Sequence, residues 1–347
     1  MSKVDQPLPF DVLPWDSPKV CVVGDVMVDA YMWGCVSRVS PEAPVPVVDV
    51  TRREIRAGGA GNVVKNLHAL GADVTLVSVV GRDASGAELT TLLEQVCTPH
   101  LVVDPSRPTT VKTRVISGGQ HVVRVDEEST MDVSSAVGQD VLNTFKAVLQ
   151  GKDCPDVVIL EDYDKGLLTE DTVAGLLSAC QASGVPVAVD PKLKRFQFYK
   201  GVALFKPNLK ELNEGLGLTE SAHPQQTEAM TEAVERLKAD LGCDRVMVTL
   251  GEHGTWIHAP HEDIVHQHIP AVPREVMDVS GAGDTVISVA ALLLASGCDA
   301  NAIARVSNLA GGWVCERVGV VPISKADLLS LIHISEPTRR YAISYAV

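Results

Sequence analysis

The stretch DVSGAGDT, residues 278–285, decides how this chain is read. Three small residues, Gly281, Ala282 and Gly283, stand between two aspartates. An apolar run of helical length, TVISVAALLLASG (285–297), follows directly. A helix start exposes unpaired backbone N–H groups and a partial positive charge, and glycines let an anion approach that backbone closely. Residues 280–283 therefore suit an anion hole for a phosphoryl group in transit. An acid at that place, Asp284, repels a phosphate at rest. It makes sense as the acceptor of a proton from a hydroxyl that attacks phosphorus, a role worth roughly 10²–10⁴ in rate. A plainer reading stays open, because Asp is also favoured at helix starts as a cap.

Upstream, short β-branched runs alternate with helical patterns. KVCVVGD (19–25), DVTLVSVV (73–80), DVVILED (156–162), VPVAVD (185–190), VALFKPN (202–208) and RVMVTL (245–250) read as strands. Helices are expected over 61–70 and near 85–97, 169–183, 224–241, 281–296 and 300–316. Continuous apolar strands between helices predict a parallel sheet covered on both faces. Two regions break the alternation, 31–56 and 109–126. The second carries Ser117-Gly118-Gly119-Gln120, a hairpin signal. Together they predict a small β-sheet lid over the ligand edge of the main sheet. The expected unit is one domain over 1–328. From 329 the chain reads LSLIHISEPTRRYAISYAV, with Pro337 and no clear period. It resembles adaptor-derived sequence, so 329–347 is expected to be a non-native tail.

Three more motifs open helices or follow strands. AGGAGN (57–62) has neither the dinucleotide GxGxxG spacing nor the Walker pattern; it suits a phosphate or a ligand lying flat against the backbone, and equally a tight turn into a helix. In FKPNLKELN (205–213), Asn208 and Glu211 are three apart. That spacing suits a hydrated Mg²⁺ beside phosphates, and, as the plainer reading of the spacing alone, a helix capping box. TLGEHGT (249–255) places glycines after a strand, where backbone N–H groups line a nucleotide or simply turn a hairpin. His253, His258, His261, His266 and His268 fit no metal spacing and read as part of a surface hairpin.

Composition excludes several classes. The net charge is −14, a poor match for a nucleic-acid backbone. No apolar run reaches the ~18 residues of a membrane span, and the first residues lack a signal-peptide core. Eight scattered cysteines without a CxxC pair read as reduced thiols, so a cytoplasmic location is expected.

In this order, GGAGN (58–62), Asn208 with Glu211, TLGEHG (249–254) and DVSGAGD (278–284) resemble the ribokinase (PfkB-type) family of carbohydrate kinases. The resemblance runs from about residue 19 to 325. It implies an α/β, Rossmann-like ribokinase fold with a parallel-rich sheet flanked by helices and a β-lid. It also implies ATP as donor, Mg²⁺, Asp284 as base, and Gly281, Ala282 and Gly283 as the anion hole. Asn208, Glu211, Thr249, Gly251, Gly254 and Asn308 would serve ATP, with Asn208 and Glu211 holding Mg²⁺ through water. Asp29, Gly58, Gly59, Asn62 and Glu161 would line the sugar site. One departure is Ser280, where the family commonly has Thr; either hydroxyl can orient the turn.

GDVMVDAYMWG (24–34) and SRVSPEAPVPVV (37–48) are similar to the heptose 7-phosphate kinases of that family. This implies phosphorylation of D-glycero-D-manno-heptose 7-phosphate at C1, on the route to ADP-heptose and lipopolysaccharide. Such kinases are often fused to an adenylyltransferase. No HxGH motif occurs here, so a stand-alone kinase is expected. The 7-phosphate needs local positive charge, for which Arg38, Lys112, Arg114, Arg124 and Lys165 are candidates and Lys112 the favoured one. A homodimer through the lid is expected. Competing readings are another sugar, sugar-phosphate or nucleoside kinase (ribose, fructose phosphate), a silent sensor, and a dehydrogenase; the missing GxGxxG after the first strand speaks against the last.

Overall fold

KVCVVG forms β1 (Lys19–Gly24), with Val20 and Val22 buried toward one side of the sheet and Cys21 and Val23 toward the other. Burial on both faces explains why the run is apolar throughout. The computed structural model describes residues 12–218 and 220–335. After β1 come β2 (Val26–Val39), β3 (Pro46–Gly59), α1 (Ala60–Ala69), β4 (Asp73–Gly81), α2 (Ala84–Leu93) and β5 (Thr98–Asp104). Then follow β6 (Val111–Ser117), β7 (Gln120–Glu127), α3 (Ser135–Gln150), β8 (Val157–Glu161), α4 (Glu170–Ser183), β9 (Val187–Asp190) and β10 (Leu204–Phe205). The series ends with α5 (Leu209–Gly215), α6 (Thr227–Leu241), β11 (Arg245–Thr249), β12 (Thr255–Ala259), β13 (Ile264–Ile269), α7 (Ala282–Ala295), α8 (Ala300–Cys315) and α9 (Lys325–Ser335).

The main sheet has the order β13-β12-β11-β10-β9-β8-β1-β4-β5. Its pairs are parallel from β11 to β5, while β12 and β13 add antiparallel at one edge. Buried residues of α1, α2, α7, α8 and α9 fill one face, and those of α3, α4, α5 and α6 the other. The chain runs outward in opposite directions from between β1 and β8. Such a switch point opens a crevice at the strands' carboxyl ends.

The lid is a separate four-stranded sheet, β3-β2-β6-β7. Its hairpin turns at Gly118 and Gly119, both with positive φ (58° and 79°), as the sequence signal required. Lid strands alternate: Asp29, Tyr31 and Trp33 share one face of β2 with their neighbours Lys112 and Arg114 of β6.

Several expectations need correction. The lid strands start at Val26 and reach Gly59, beyond the 31–56 expected, because β2 and β3 form one long ladder into the main body. The helix expected near 85–97 ends at Leu93, and Thr98–Asp104 is a strand the sequence did not suggest. Its half-exposed, interrupted pattern is that of a sheet edge. Helix α3 was also missed. The histidine segment is a hairpin, β12 with β13, and His261 and His266 are exposed, but it is not wholly at the surface: β12 is buried throughout, with His258 at 3% exposure. Finally, the expected break at 328 does not coincide with a break in structure. Helix α9 continues to Ser335, and Leu331 and Ile332 join the core. The remainder of the expected tail, 336–347, lies outside the described residues.

Ile332 is 1% exposed and Ile334 is 71% exposed on the same helix. Ile332→Ala should therefore destabilise the fold by about 2–4 kcal/mol, the cost of an isoleucine-sized core truncation. Ile334→Ala should change stability by under about 0.5 kcal/mol. Equal denaturation midpoints for the two variants would show that α9 does not pack on the core.

Candidate active site

The register of the parallel strands assembles the site. Gly24 lies beside Glu161, and Glu161 beside Asp190, at the carboxyl ends of β1, β8 and β9. The amino end of α7 points at the same edge. Gly281 caps α7 with φ 79°, a conformation that side chains disfavour, and no side-chain hydrogen bond caps that end. Asp284 is thus not the helix cap.

Its carboxylate is instead held by two distant side chains. Asn62 of α1 donates from Nδ2 to one oxygen, and the Tyr163 hydroxyl donates to the other at 2.8 Å. Asp284 is 7% exposed. Burial raises its pKa, and the two hydrogen bonds pull in the opposite direction by stabilising the charged form. The carboxylates of Glu161, Asp190 and Asp284 approach within 4.8 Å of one another. Lys206, following β10, pairs with Asp190 at 2.8 Å. One oxygen of Glu161, Oε2, is buried without a partner. Burial, then the charges of Asp190 and Asp284, push Glu161 well above the usual carboxylate range.

Tyr163 is placed by Asp25. The buried Asp25 carboxylate accepts backbone N–H bonds from Tyr163, Lys165 and Leu167 at 3.0, 3.0 and 3.4 Å. Burial still raises its pKa despite these donors. The loop after β8 is therefore tied to the end of β1.

The expected sugar-site residues do converge. Asp29 pairs with Arg114 of the lid at 2.5 Å, and a Cβ on Gly58 would fall 2.0 Å from Asp29 Oδ2. Only glycine leaves room there for that carboxylate. Gly59 ends β3 and caps α1, which carries Asn62 to Asp284.

On the nucleotide side, Asn208 and Glu211 form the capping box, each side chain accepting the other's backbone N–H at 2.9 Å. The second Glu211 oxygen accepts from Lys192 at 3.0 Å. Both oxygens of Glu211 thus have partners, whereas Glu161 retains a free one. Thr249 bridges to Asn208, and Gly251 and Gly254 flank the following turn. Asn308 uses its amide to tie strand to loop, donating to the Pro270 carbonyl and accepting from Thr255.

Four of the five candidate phosphate-binding cations are ion-paired. Lys112 and Lys165 converge on Glu128 Oε2 at 2.9 and 3.0 Å, Arg124 binds Asp126, and Arg114 binds Asp29. Arg38 lies on an exposed part of β2. Sequence reasoning missed Tyr163, Asp25, Asp190 and Lys206. The signal for three of them was their place directly at or after a strand's carboxyl end.

Comparison with known proteins bears on the family and the fold. The pattern of the pfkB family carbohydrate kinases matches residues 17–326. The bifunctional protein HldE of Caulobacter vibrioides is 42% identical over 311 residues, covering 89% of this chain and 62% of that protein. HldE of Nitratiruptor sp. is 41% identical over 311 residues, covering 90% and 64%. The chain thus spans less than two thirds of the length of these relatives. Among solved structures, Escherichia coli phosphofructokinase-2 in complex with fructose-6-phosphate superposes with a TM-score of 0.73 at 18% identity, covering 92% of this chain and 99% of that one. Arabidopsis thaliana ribokinase complexed with ribose and ATP gives 0.67 at 20% identity, covering 91% and 99%.

The clamp on Asp284 has a pH signature. A base must be ionised to accept a proton, and Tyr163→Phe removes a donor that favours the ionised form. The pKa of Asp284 should rise, so the acid limb of the rate–pH profile should move to higher pH. Activity at pH 6 relative to pH 8 should fall at least about threefold. An unmoved acid limb would show that the phenol does not tune this carboxylate.

Proposed function

The chain belongs to the pfkB family of carbohydrate kinases, and from that premise we propose that it transfers the γ-phosphoryl group of ATP to D-glycero-D-manno-heptose 7-phosphate. The acceptor is the C1 hydroxyl and the product the 1,7-bisphosphate, an intermediate toward ADP-heptose. The observation that carries the kinase chemistry is Asp284, buried at the third position of α7 beside the glycine turn and oriented by Asn62 and Tyr163. As the acceptor oxygen bonds to the γ-phosphorus and the bond to the ADP oxygen breaks, the hydroxyl proton passes to Asp284. Backbone N–H groups of residues 281–283 face the phosphoryl oxygens as charge moves. Lys206, beside Asp190, brings positive charge to the same edge.

A divalent cation held here would supply positive charge to offset that of the phosphates. The donor set that fits it is Glu161 with Asp190, all oxygen ligands, one of them an unpartnered buried carboxylate oxygen. This reading replaces the pair Asn208 and Glu211, whose carboxylate is occupied by capping and by Lys192. Asn208, Thr249, Gly251 and Gly254 then border the nucleotide, and Asp29, Gly58, Gly59 and Asn62 the sugar. The heptose assignment rests on the 24–34 and 37–48 stretches and on similarity to proteins named HldE. We also propose a homodimer through the outer lid face, where Val123 and Val125 are about half exposed on the side opposite Arg124. Val123→Asp should convert a sedimenting dimer into monomer; a wild-type monomer at micromolar concentration would refute this.

The test is a coupled ATP-turnover assay with heptose 7-phosphate, its unphosphorylated parent, ribose and fructose 6-phosphate. Heptose 7-phosphate should give the highest kcat/KM by at least about tenfold. A better ribose or fructose 6-phosphate substrate would move the chain to another branch of the family. In the same assay, Glu161→Gln should raise the Mg²⁺ concentration for half-maximal rate about tenfold or more. An unchanged Mg²⁺ titration would remove Glu161 from the cation site.

A further inference from the structure

Arg195 ends a single 3-10 turn, Leu193–Arg195, that follows β9. Its side chain is 2% exposed, a costly place for a charge without partners. The guanidinium donates to two carboxylates from separate stretches of chain. Nη1 donates to Asp164 Oδ1 at 2.9 Å, and Nη2 donates to Asp132 Oδ1. Asp132 lies where the chain leaves the lid, between β7 and α3, and the same oxygen accepts from Lys194 at 3.0 Å. Asp164 is the residue directly after Tyr163. A guanidinium fork is suited to holding two such carboxylates in one fixed geometry.

The backbone of Asp164 makes that grip matter. Its φ is 55°, in the left-handed region that side chains disfavour, although Asp tolerates it better than most. Its N–H donates to Asp162 Oδ1 at 2.8 Å. The chain thus turns sharply one residue past Tyr163, and the direction of the phenol depends on Asp164 staying in place. Three constraints meet on Tyr163. Asp25 accepts its N–H at 3.0 Å, Lys192 Nζ stands 5.3 Å over its ring centre, and Arg195 fixes the next residue. Two of the three come from the same few residues after β9. The phenol so placed donates to Asp284 at 2.8 Å.

We propose that Arg195 is a positioning residue for the transfer step: anchored on Asp132, it holds Asp164 and so aims the Tyr163 phenol at Asp284. This rests on the reading of Asp284 as the base. Arg195 acts through Tyr163 and takes no part at the reacting atoms. Its contribution to the rate exists only while the Tyr163 phenol is present to be aimed, whereas a plain support of the fold would be felt with or without that hydroxyl.

The experiment is a double-mutant cycle of Arg195→Met with Tyr163→Phe, read as kcat and KM with ATP and the best acceptor of the sugar panel. Alone, Arg195→Met should lower kcat about tenfold, part of the 10²–10⁴ that a placed base supplies, with each KM changed less than about threefold. In the Tyr163→Phe background the same substitution should lower kcat less than about twofold. An equal loss in both backgrounds would overturn the proposal and make Arg195 a support of the fold at large. Should Arg195→Met fail to fold, Asp164→Asn takes its place. Asparagine tolerates the same backbone and still accepts a hydrogen bond, without the charge, so kcat should fall about threefold, and again only while the phenol is present. A second readout needs no turnover. The chain has five tyrosines, so fluorotyrosine labelling gives a fluorine NMR spectrum of few lines, and the line lost in Tyr163→Phe belongs to Tyr163. That line should shift in Arg195→Met and in Asp164→Asn; an unmoved line in both would overturn the proposal. A shifted line together with wild-type turnover in Asp284→Asn would uphold the hold of Arg195 on Tyr163 and refute Asp284 as the base.

Discussion

The site depends on one buried carboxylate and the two side chains that hold it. Asp284 is reached by Asn62 from α1 and by Tyr163 from the loop after β8, so three separate stretches of chain meet on one group. Leaving such a charge buried without donors costs several kcal/mol, so these contacts are a condition of folding as well as of chemistry. Each donor is positioned by something else. Asn62 follows the glycines that end β3, and Asn66 on the next turn binds back to its carbonyl at 3.0 Å. Tyr163 follows from the three backbone bonds to Asp25. The end of β1 therefore determines where the phenol of another loop lies.

Electrostatics around that carboxylate follow from an acidic chain that handles phosphates. Net charge is −14, yet the lid and its root gather Arg56, Lys112, Arg114, Arg124 and, from the body, Lys165. All five are held by neighbouring carboxylates. Lys165 and Lys112 sharing Glu128 also joins the body to the lid across one carboxylate. The chemical edge carries the opposite pattern. Glu161, Asp190 and Asp284 crowd together with Lys206 as the adjacent cation.

Much of the fold was legible because its signals are local. Two-sided burial makes strands such as 19–25 and 156–162 apolar throughout, and glycine turns announce helix starts at 59 and 281. The Gly118-Gly119 hairpin needed nothing beyond its own dihedral demands. The edge strand β5 was not legible, since an edge is only partly buried and its pattern is irregular. Helix α9 was not legible because its stripe, Leu328, Leu331 and Ile332, is short and runs into an ending with Pro337 and no clear period. In the site, Asn62 and Asp284 lie within motifs, whereas Tyr163, Asp25, Asp190 and Lys206 stand outside them. Nothing near Tyr163 in sequence says that it meets Asp284, 121 positions away.

The central claim is that Asp284 accepts the acceptor's proton. It is tested most directly by single-turnover phosphoryl transfer in Asp284→Asn, measured beside nucleotide affinity in the same preparation. Asparagine keeps an acceptor oxygen for one neighbour and removes the base. The account predicts a rate lower by about 10²–10⁴ with nucleotide affinity changed less than about threefold. A transfer rate within about threefold of wild type would contradict it.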